Sequence, residues 1–509
     1  MRAIRPSLLL LFALQVTPVM SGPLDCFAGD LDPSTRQEAC TATVTEPSND
    51  NALRARAHLV RSELRRQNRE LDGALADIDA AEALGGIDVV ARMTRARLTF
   101  FKGRSEDALD ELDIVIGEKP GLTDAYLLRS EILMDLGKTN AAMTDLGEVR
   151  RLNPNDPGPY RVRGKIFLGA GDAGAAVGEL QKAFALNALD LKSLGLLGTA
   201  HLRAGQPRAA IEAFDTFLEK TPENMEVLMV RATAHGQIKN FTAAIADYTA
   251  VLKNQPNNLE AREARGVARL FDKDGIGAES DFTAVLAITP GNQRVSLFRG
   301  SARFSQQKYA AAEQDFDQVL KRFPADTDTR LNRGLARLAM GRPNDAINDL
   351  TVALESEPGL ALAKRRRAQA HLLAGQFDAA ILDLDSLPNQ RISDSIWRFV
   401  AAKRTQAPDA YAQLQSAAKG TDPTVWPGAL VDGLEGQVTI PVVFNEARRD
   451  PKEASARLTE THFILGQLAL AAGDIELAKK SFAAALAFER YDLIEYQGSK
   501  IELERLDPN

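Results

Sequence analysis

The chain has 509 residues, with 62 lysines and arginines against 69 aspartates and glutamates, so its formal net charge is −7. Nucleic-acid binding requires a basic surface that neutralises phosphates, and this acidic balance argues against nucleic acid as the main ligand. Beyond the N-terminal residues no stretch is apolar enough for a membrane helix, so we expect no integral membrane segment in the mature chain.

The N-terminus has the features of an export signal. Arg2 and Arg5 precede an apolar run over residues 8–14, which is too short to span a bilayer. Thr17-Pro18 ends this run, and residues 19–21 offer a small-residue cleavage site. We predict a signal peptide over residues 1–21 and a periplasmic or secreted mature protein; the alternative is a buried N-terminal helix.

The chain has two cysteines, Cys26 and Cys40, shortly after the predicted cleavage site. In an oxidising compartment we predict that they form a disulfide, and such a short loop would add about 3 kcal/mol of stability. The alternatives are a reactive thiol and a lipid-modified cysteine, although Asp25 stands where a lipoprotein signal needs a small neutral residue. Residues 22–51 are thus a predicted disulfide segment followed by a linker over residues 41–51.

Residues 52–388 repeat with a period of 34. Each repeat predicts two short amphipathic helices, with a proline at the end of most repeats, and one such hairpin cannot bury its own apolar face. The second helix carries an alanine in register, and twelve residues earlier the first helix carries a small residue where the two helices approach closely. The alanines are Ala74, Ala108, Ala142, Ala176, Ala210, Ala244, Ala278, Ala312, Ala346 and Ala380, and the small residues are Ser62, Ala96, Ser130, Gly164, Gly198, Ala232, Gly266, Gly300, Gly334 and Ala368.

An apolar residue, often aromatic, follows each alanine by four positions, as Phe214, Tyr248 and Phe282 show. This pattern of small residue, alanine, aromatic and proline resembles the tetratricopeptide repeat (TPR) family. The resemblance implies an all-α fold, a right-handed TPR superhelical solenoid of about eleven helix hairpins with a C-terminal capping helix. It also implies that the first helices line a concave groove for other proteins.

A charge pattern accompanies the repeats. Arginine precedes the small residue in nine of ten repeats, and an acid follows the alanine by three positions in nine of ten. The exception is the same repeat in both cases, with Leu197 and Ala213. Because both positions are lost together, we predict structural pairs of arginine and carboxylate, among them Arg265 with Asp281 and Arg299 with Asp315.

Groove-side positions of the first helices are predicted partner contacts, namely Leu59, Met93, Leu127, Met229, Leu297 and Leu331. They would suit an extended peptide or an amphipathic helix, whereas the alternative is ordinary core between helices. The densest basic run adds Lys364, Arg365 and Arg366, which could clamp an acidic segment at the end of the groove; the alternative is a solvated helix face.

The repeat register is lost after Pro388. Residues 389–458 predict an inserted region of helices and a packed loop, whose Trp397 and Trp426 are either buried or available to stack on sugars. The repeat pattern returns over residues 459–489 as an eleventh hairpin, in which Gly466 and Ala478 are in register. Residues 490–509 predict a capping helix with a polar outward face.

This end carries a second resemblance. Trp426-Pro427, the run from Glu460 to Gly466, Gly473-Asp474 and Ile494-Glu495-Tyr496 are similar to the C-terminal half of the NlpI-type TPR lipoproteins of Gram-negative envelopes. The resemblance implies an adaptor that brings peptidoglycan hydrolases and a periplasmic protease together. The chain departs from that family in lacking a lipid-acceptor signal before Cys26 and in having a longer array.

The sequence contains no nucleophile motif, phosphate loop or metal-ligand spacing, so we expect no enzyme, no cofactor and no metal site. We predict an exported non-catalytic adaptor that binds proteins or peptides and recruits cell-wall hydrolases or a protease. One alternative is a scaffold subunit of envelope polysaccharide synthesis or export. The other is a hydrolase sited in residues 389–455, which contain Asp394, Asp422, Asp432 and Glu435.

Overall fold

The computed structural model describes residues 25–28, 31–85, 88–419, 422 and 425–507. Over these residues the secondary structure is helical, with no β-strand, so the predicted all-α class is confirmed. The predicted signal peptide lies outside the described residues. The chain divides into two compact units, the first ending at Pro222 and the second running from Glu223 to the C-terminus.

The first unit begins with a single-turn helix, Asp25–Phe27, followed by helix α1 and five hairpins. Its helices are α1 Pro33–Thr45, α2 Asn51–Gln67, α3 Leu71–Ala83, α4 Val89–Phe101, α5 Ser105–Glu118, α6 Thr123–Asp135, α7 Thr139–Leu152, α8 Gly158–Gly169, α9 Ala173–Leu186, α10 Leu191–Arg203 and α11 Pro207–Lys220.

The second unit contains five further hairpins and then a C-terminal region. The hairpin helices are α12 Met225–Gln237, α13 Phe241–Asn254, α14 Leu259–Phe271, α15 Gly275–Ile288, α16 Gln293–Ser305, α17 Tyr309–Arg322, α18 Thr327–Ala339, α19 Pro343–Ser356, α20 Ala361–Ala374 and α21 Phe377–Asp385. The C-terminal helices are α22 Ile392–Arg404, α23 Ala410–Ala418, α24 Gly428–Leu434, α25 Ile440–Arg448, α26 Ala454–Ala471, α27 Ile475–Leu486 and α28 Ile494–Leu506.

Within each unit, consecutive hairpins pack side by side through their first and second helices. Local sequence sets the helix ends: Asn224, Asn258 and Asn292 each accept a hydrogen bond from a backbone N–H in the first turn of the helix that follows. Inside a hairpin, the small residue of the first helix lies against the aromatic residue of the second. A Cβ on Gly266 would lie 2.7 Å from Cε1 of Phe282, so the helices reach their observed distance because no side chain stands there.

The repeating arginine forms an ion pair with the repeating acid of the same hairpin at all nine places where the sequence carries both. Arg265 Nη2 lies 2.7 Å from Asp281 Oδ1, and Arg299 Nη2 lies 2.7 Å from Asp315 Oδ1. Asp281 is 2% exposed and also accepts a hydrogen bond from Arg269, at 2.8 Å. The acid is therefore a buried bridge between the two helices of a hairpin.

The N-terminal segment has the disulfide expected from the sequence but contains more helix than expected. The structure joins Cys26 and Cys40 by a disulfide, and Cys40 lies within α1. The predicted linker over residues 41–51 is mostly wrong, because α1 continues to Thr45 and α2 begins at Asn51. Asp32 accepts a hydrogen bond from Thr35 N, and Pro33 follows it at the first helical position, so a strong helix start precedes the cysteine.

The C-terminal helix also differs from expectation. A helix that only capped the array would pack on the last hairpin, but α28 packs on α18 and α20 as well as on α26 and α27. Arg505 donates a hydrogen bond to the carbonyl of Leu373 in α20, at 2.6 Å. The helix therefore folds back over the first helices of the ninth and tenth hairpins.

Candidate partner-binding grooves

A recess in the first unit is lined by side chains of five successive first helices, α2, α4, α6, α8 and α10. Its volume is about 610 Å³. Phe100, Phe101 and Leu127 give it apolar walls, and the Phe101 side chain is 62% exposed. No second helix contributes to this recess, so it is a groove of the first-helix face.

The electrostatics of this recess are basic. Its lining includes five cationic side chains and two acidic ones, which are Arg66, Arg97, Arg161, Lys165, Lys192, Asp124 and Glu131. Two of the arginines are ion-paired, Arg66 with Glu63 at 2.5 Å and Arg161 with Asp190 at 2.9 Å. Among the described residues no carboxylate forms an ion pair with Arg97, Lys165 or Lys192, which leaves three cations around the half-buried Phe100 and the exposed Phe101.

A recess of about 520 Å³ in the second unit has different chemistry. It lies on α12, α14 and α16 and reaches the start of α13. The rings of Phe241 and Phe271 stack with centroids 5.4 Å apart, and Tyr248 and Phe298 also line it. Burial raises the pKa of Tyr248, which therefore stays a neutral phenol at physiological pH.

The second recess has one ion pair and one further acid. Arg294 Nη2 lies 2.5 Å from Glu263 Oε1, and Glu260 lines the same wall. Apart from Thr233 and Gln237, the other lining residues are apolar or aromatic. This recess suits an apolar side chain of a partner, whereas the recess of the first unit suits an acidic segment.

One register of the repeat describes both recesses. Counted from the small residue of each first helix, the lining side chains of the first helices lie at positions −6, −3, −2, +1, +4 and +5, with Ala232 and Ala268 as exceptions. These positions form one stripe of a helix with 3.6 residues per turn. We call this stripe the groove face.

The sequence of the central hairpins matches a known repeat family. A model described as tetratricopeptide repeat matches residues 161–224, 196–258, 229–292, 277–327, 297–339 and 331–391. The chain carries tetratricopeptide repeats. The matched residues include hairpins of both units, and the same register extends from α2 to α21.

The TPR chain is also similar to individual proteins. A protein named lipoprotein NlpI homolog, from Haemophilus influenzae, is 25% identical over 116 residues, which are 22% of this chain and 37% of that relative. This chain thus spans little more than a third of the curated relative it matches. Among solved structures, a TPR protein from Parabacteroides merdae has a TM-score of 0.39 and 22% identity, covering 48% of this chain and 98% of its own. The C-terminal part of a TPR repeat-containing protein from Cytophaga hutchinsonii has a TM-score of 0.38 and 17% identity, covering 47% and 97%.

The predicted groove residues of the TPR array all occupy position −3, at the edge of the groove face. Leu127 lines the first recess, although it is only 9% exposed and also packs in the core. The prediction is wrong for Met93, which is 6% exposed and packs in the core between helices. The remaining four are half-buried against core residues, namely Leu59, Met229, Leu297 and Leu331. Position −3 faces partly toward the core, so periodicity alone could not tell a core residue from a groove residue there.

The basic run of α20 is neither an open clamp nor a solvated face. Arg365 pairs with Asp394 of α22, with its Nε 2.6 Å from Oδ1, and so is not available to a partner. Arg366 is recessed beside α28 and donates a hydrogen bond to Gln369 at 2.9 Å. Lys364 is half-buried. Sequence reasoning could not place α22 and α28 against this run.

Sequence analysis missed the side chains that give the recesses their chemistry. Phe101 and Phe271 both occupy position +5 and are 62% and 63% exposed. Lys165 at position +1 and Lys192 at position −6 were not singled out either. The sequence did contain a signal for these side chains, because a phenylalanine recurs at position +5 in two distant repeats.

In the C-terminal region, two residues of the alternative sugar-binding and hydrolase sites are buried. Trp397 is 7% exposed and packs against Phe463 with ring centroids 5.5 Å apart, so it cannot stack on a sugar. Asp394 is 3% exposed and is occupied by Arg365. Burial raises the pKa of Glu435, and the charge of Asp432 acts in the same direction. Within the described residues no cluster of potential ligands could hold a metal ion, and no helix has both the length and the apolarity to cross a membrane.

Proposed function

We propose that this TPR chain is an exported, non-catalytic scaffold that binds partner polypeptides on its groove faces. The observation that carries the proposal is the recess of the first unit. Five successive first helices line it, and three of its five cations, outside any ion pair among the described residues, surround Phe100 and the exposed Phe101. Acidic side chains of a bound segment would pair with Lys165 and Lys192, while an apolar side chain would contact Phe100 and Phe101.

A periplasmic or secreted location belongs to the same proposal. It is supported by the N-terminal sequence pattern, by the cysteine pair and by the similarity to a relative named as a lipoprotein. Recruitment of cell-wall hydrolases or a protease is the function we propose for the scaffold, since the C-terminal sequence resembles NlpI-type adaptors. Non-catalytic action is supported by the use of the buried repeat acids in ion pairs.

The groove is tested directly with a defined ligand. The full chain is titrated with a fluorescently labelled Glu-rich peptide that contains leucine, and binding is followed by anisotropy. We expect Lys165→Glu with Lys192→Glu to weaken binding about tenfold or more, which corresponds to about 0.7 kcal/mol for each lost charge contact. Equal binding of a Lys-rich peptide, or no loss in the variant, would overturn the acidic-segment assignment.

The matched control carries the same charge change on second helices. Lys220 of α11 and Lys253 of α13 are exposed and lie outside the recesses, so Lys220→Glu with Lys253→Glu should leave peptide binding unchanged. The adaptor role is then tested by capture of partners from the native periplasm with both double variants. Loss of hydrolases or a protease only in the Lys165 and Lys192 variant supports the adaptor, whereas capture of polysaccharide-assembly proteins alone would contradict it.

A further inference from the structure

The groove face of the last two repeats is covered by the chain itself. Side chains at positions +1, +4 and +5 of α18, which are Leu335, Leu338 and Ala339, line a recess together with residues 491–494 and Gln497 at the start of α28. These repeat positions line open recesses on other first helices. The helix α28 therefore covers part of the groove face of its own array.

The packing of α28 is close at one point. A Cβ on Gly498 would lie 2.5 Å from Cε2 of Phe463 and 2.7 Å from Cδ2 of Leu373, so a residue without a side chain lets α28 settle between α20 and α26. Leu373 stands at position +5 of the tenth repeat, on the groove face. The cover is thus an apolar helix-in-groove contact.

A polar cluster lies inside this contact. Glu495 of α28 interacts electrostatically with Glu460 of α26 and with Arg366 of α20. Trp426 Nε1 donates a hydrogen bond to Glu460 Oε2, at 2.9 Å. Within the described part of the chain no carboxylate lies close enough to Arg366 for an ion pair, and its Nε has no hydrogen-bond partner. Glu495 and Glu460 therefore repel each other where α28 packs on α26, and Arg366 forms no ion pair with either of them.

Two further charged groups act on these acids. Asp492, just before α28, adds a further negative charge, and Arg457 of α26 acts on Glu460. On α18, Arg333 and Arg337 are held by acids of α17 and α19, at distances of 2.5 to 2.8 Å.

The neighbouring helices α27 and α26 carry two more titratable groups, Lys479 and His462. Lys479 of α27 pairs with Asp507. His462 of α26 packs against Phe444, and burial lowers its pKa, so it stays neutral there.

Burial, and then repulsion from Glu460, raises the pKa of Glu495 to about 7. A carboxyl in a released α28 would titrate near its ordinary value of 4.5. The docked state therefore binds more protons between these values. Docking is strongest below about pH 4.5 and weakens as the pH rises toward 7.

We propose that α28 is a releasable cover over the groove face of α18 and α20, and that ionisation of Glu495 beside Glu460 favours its release. The uncovered face then accepts an amphipathic helix of a partner, because the segment that now occupies it is itself a helix. The proposal concerns a surface separate from the recess of the first unit, and it stands or falls independently of peptide binding there.

Hydrogen exchange of the full chain, followed by mass spectrometry, tests this inference. Protection of residues 494–506, corrected for intrinsic exchange, is expected to fall on the order of 100-fold between about pH 5 and about pH 8. Protection of α14 in the same unit should not fall with it, which separates local release from unfolding. A protection of residues 494–506 that does not depend on pH would overturn the proposal.

Two variants on α28 identify the group responsible. Glu495→Gln removes the ionisable group, so α28 should stay docked at both pH values. Glu504→Gln changes an exposed acid of the same helix and should keep the pH dependence of the unmodified chain. A Glu495→Gln variant with an unchanged pH dependence would remove the assignment to Glu495.

Discussion

At the scale of single residues, the recurrent acid is held by several hydrogen bonds in hairpins such as the seventh. Asp281 receives two hydrogen bonds from Arg265 and one from Arg269, although only 2% of it is exposed. A buried carboxylate of this kind is stable only while its cationic partners are present. The repeat with Leu197 and Ala213 avoids this dependence by replacing both partners with apolar residues.

The pairing of Arg265 and Asp281 predicts non-additive energetics. Asp281→Ala should lower the free energy of unfolding by about 3–5 kcal/mol, because it leaves two arginines without their shared acceptor. Arg265→Leu combined with Asp281→Ala should cost clearly less than the sum of the single changes. A double-mutant cycle by chemical denaturation measures this coupling, and purely additive costs would show that the two residues do not stabilise each other.

At the scale of the helical element, the hairpin depends on one close approach. In the eleventh hairpin, a Cβ on Gly466 would lie 2.5 Å from Cε1 of Phe482, much as Gly266 meets Phe282. The repeat therefore uses the absence of a side chain on one helix and an aromatic ring on the other. The register of the hairpin follows from this contact rather than from helix propensity.

Two glycine substitutions separate packing from propensity. Gly266→Ala places a methyl group against Phe282 and should destabilise the second unit by about 1–3 kcal/mol. Gly147→Ala in the interior of α7 meets nothing within 4 Å and should instead stabilise the chain by up to about 1 kcal/mol. Thermal or chemical unfolding measures the stability of both variants. A stabilising Gly266→Ala would contradict the close-approach explanation.

At the scale of the whole molecule, the two open recesses offer different interactions. The first unit presents cations without acidic partners, whereas the second presents stacked aromatic rings with Arg294 and Glu263 paired at the rim. Binding to the first should therefore be sensitive to ionic strength, and binding to the second should not. A scaffold with both can hold two classes of partner by separate means.

Salt and an aromatic deletion should divide the captured partners into two sets. In about 1 M salt the Debye length is about 3 Å, so partners lost in the Lys165 and Lys192 variant should also leave on washing. Partners lost in a Phe271→Ala variant should remain bound through that wash. Quantitative mass spectrometry measures both sets, and removal of both by salt alone would contradict the division.

The hairpins of this molecule were predictable because each repeat is specified by residues that are close together in the sequence. The 34-residue period, the small residue, the alanine and the aromatic determine a hairpin through contacts between residues sixteen or fewer positions apart. The repeat that has Leu197 and Ala213 lacks both the arginine and the acid, and this joint absence in the sequence indicated that the two positions pair. The hairpins, their order and their internal ion pairs were accessible from sequence for this reason.

The sites depended on contacts that no local pattern contains. Arg365 meets Asp394 from 29 residues away, and Arg505 meets the carbonyl of Leu373 from 132 residues away. Three stretches that resemble the NlpI-type proteins in sequence contain Trp426, Glu460 and Glu495. They come together around α28 only in the folded chain. Leu127 and Met93 share position −3, yet only Leu127 is among the described residues that line the recess, which the repeat pattern does not distinguish.

The sequence by itself thus determined an array of helical hairpins, because each hairpin is encoded by residues that are neighbours along the chain. Only the tertiary structure decided which side chains remain exposed on the groove face, because exposure depends on what later segments cover. The recess of the first unit stays open, with three of its five cations outside ion pairs among the described residues, whereas the groove face of the ninth and tenth repeats is covered by α28. The difference arises from burial and charge pairing between distant segments, which periodicity does not report.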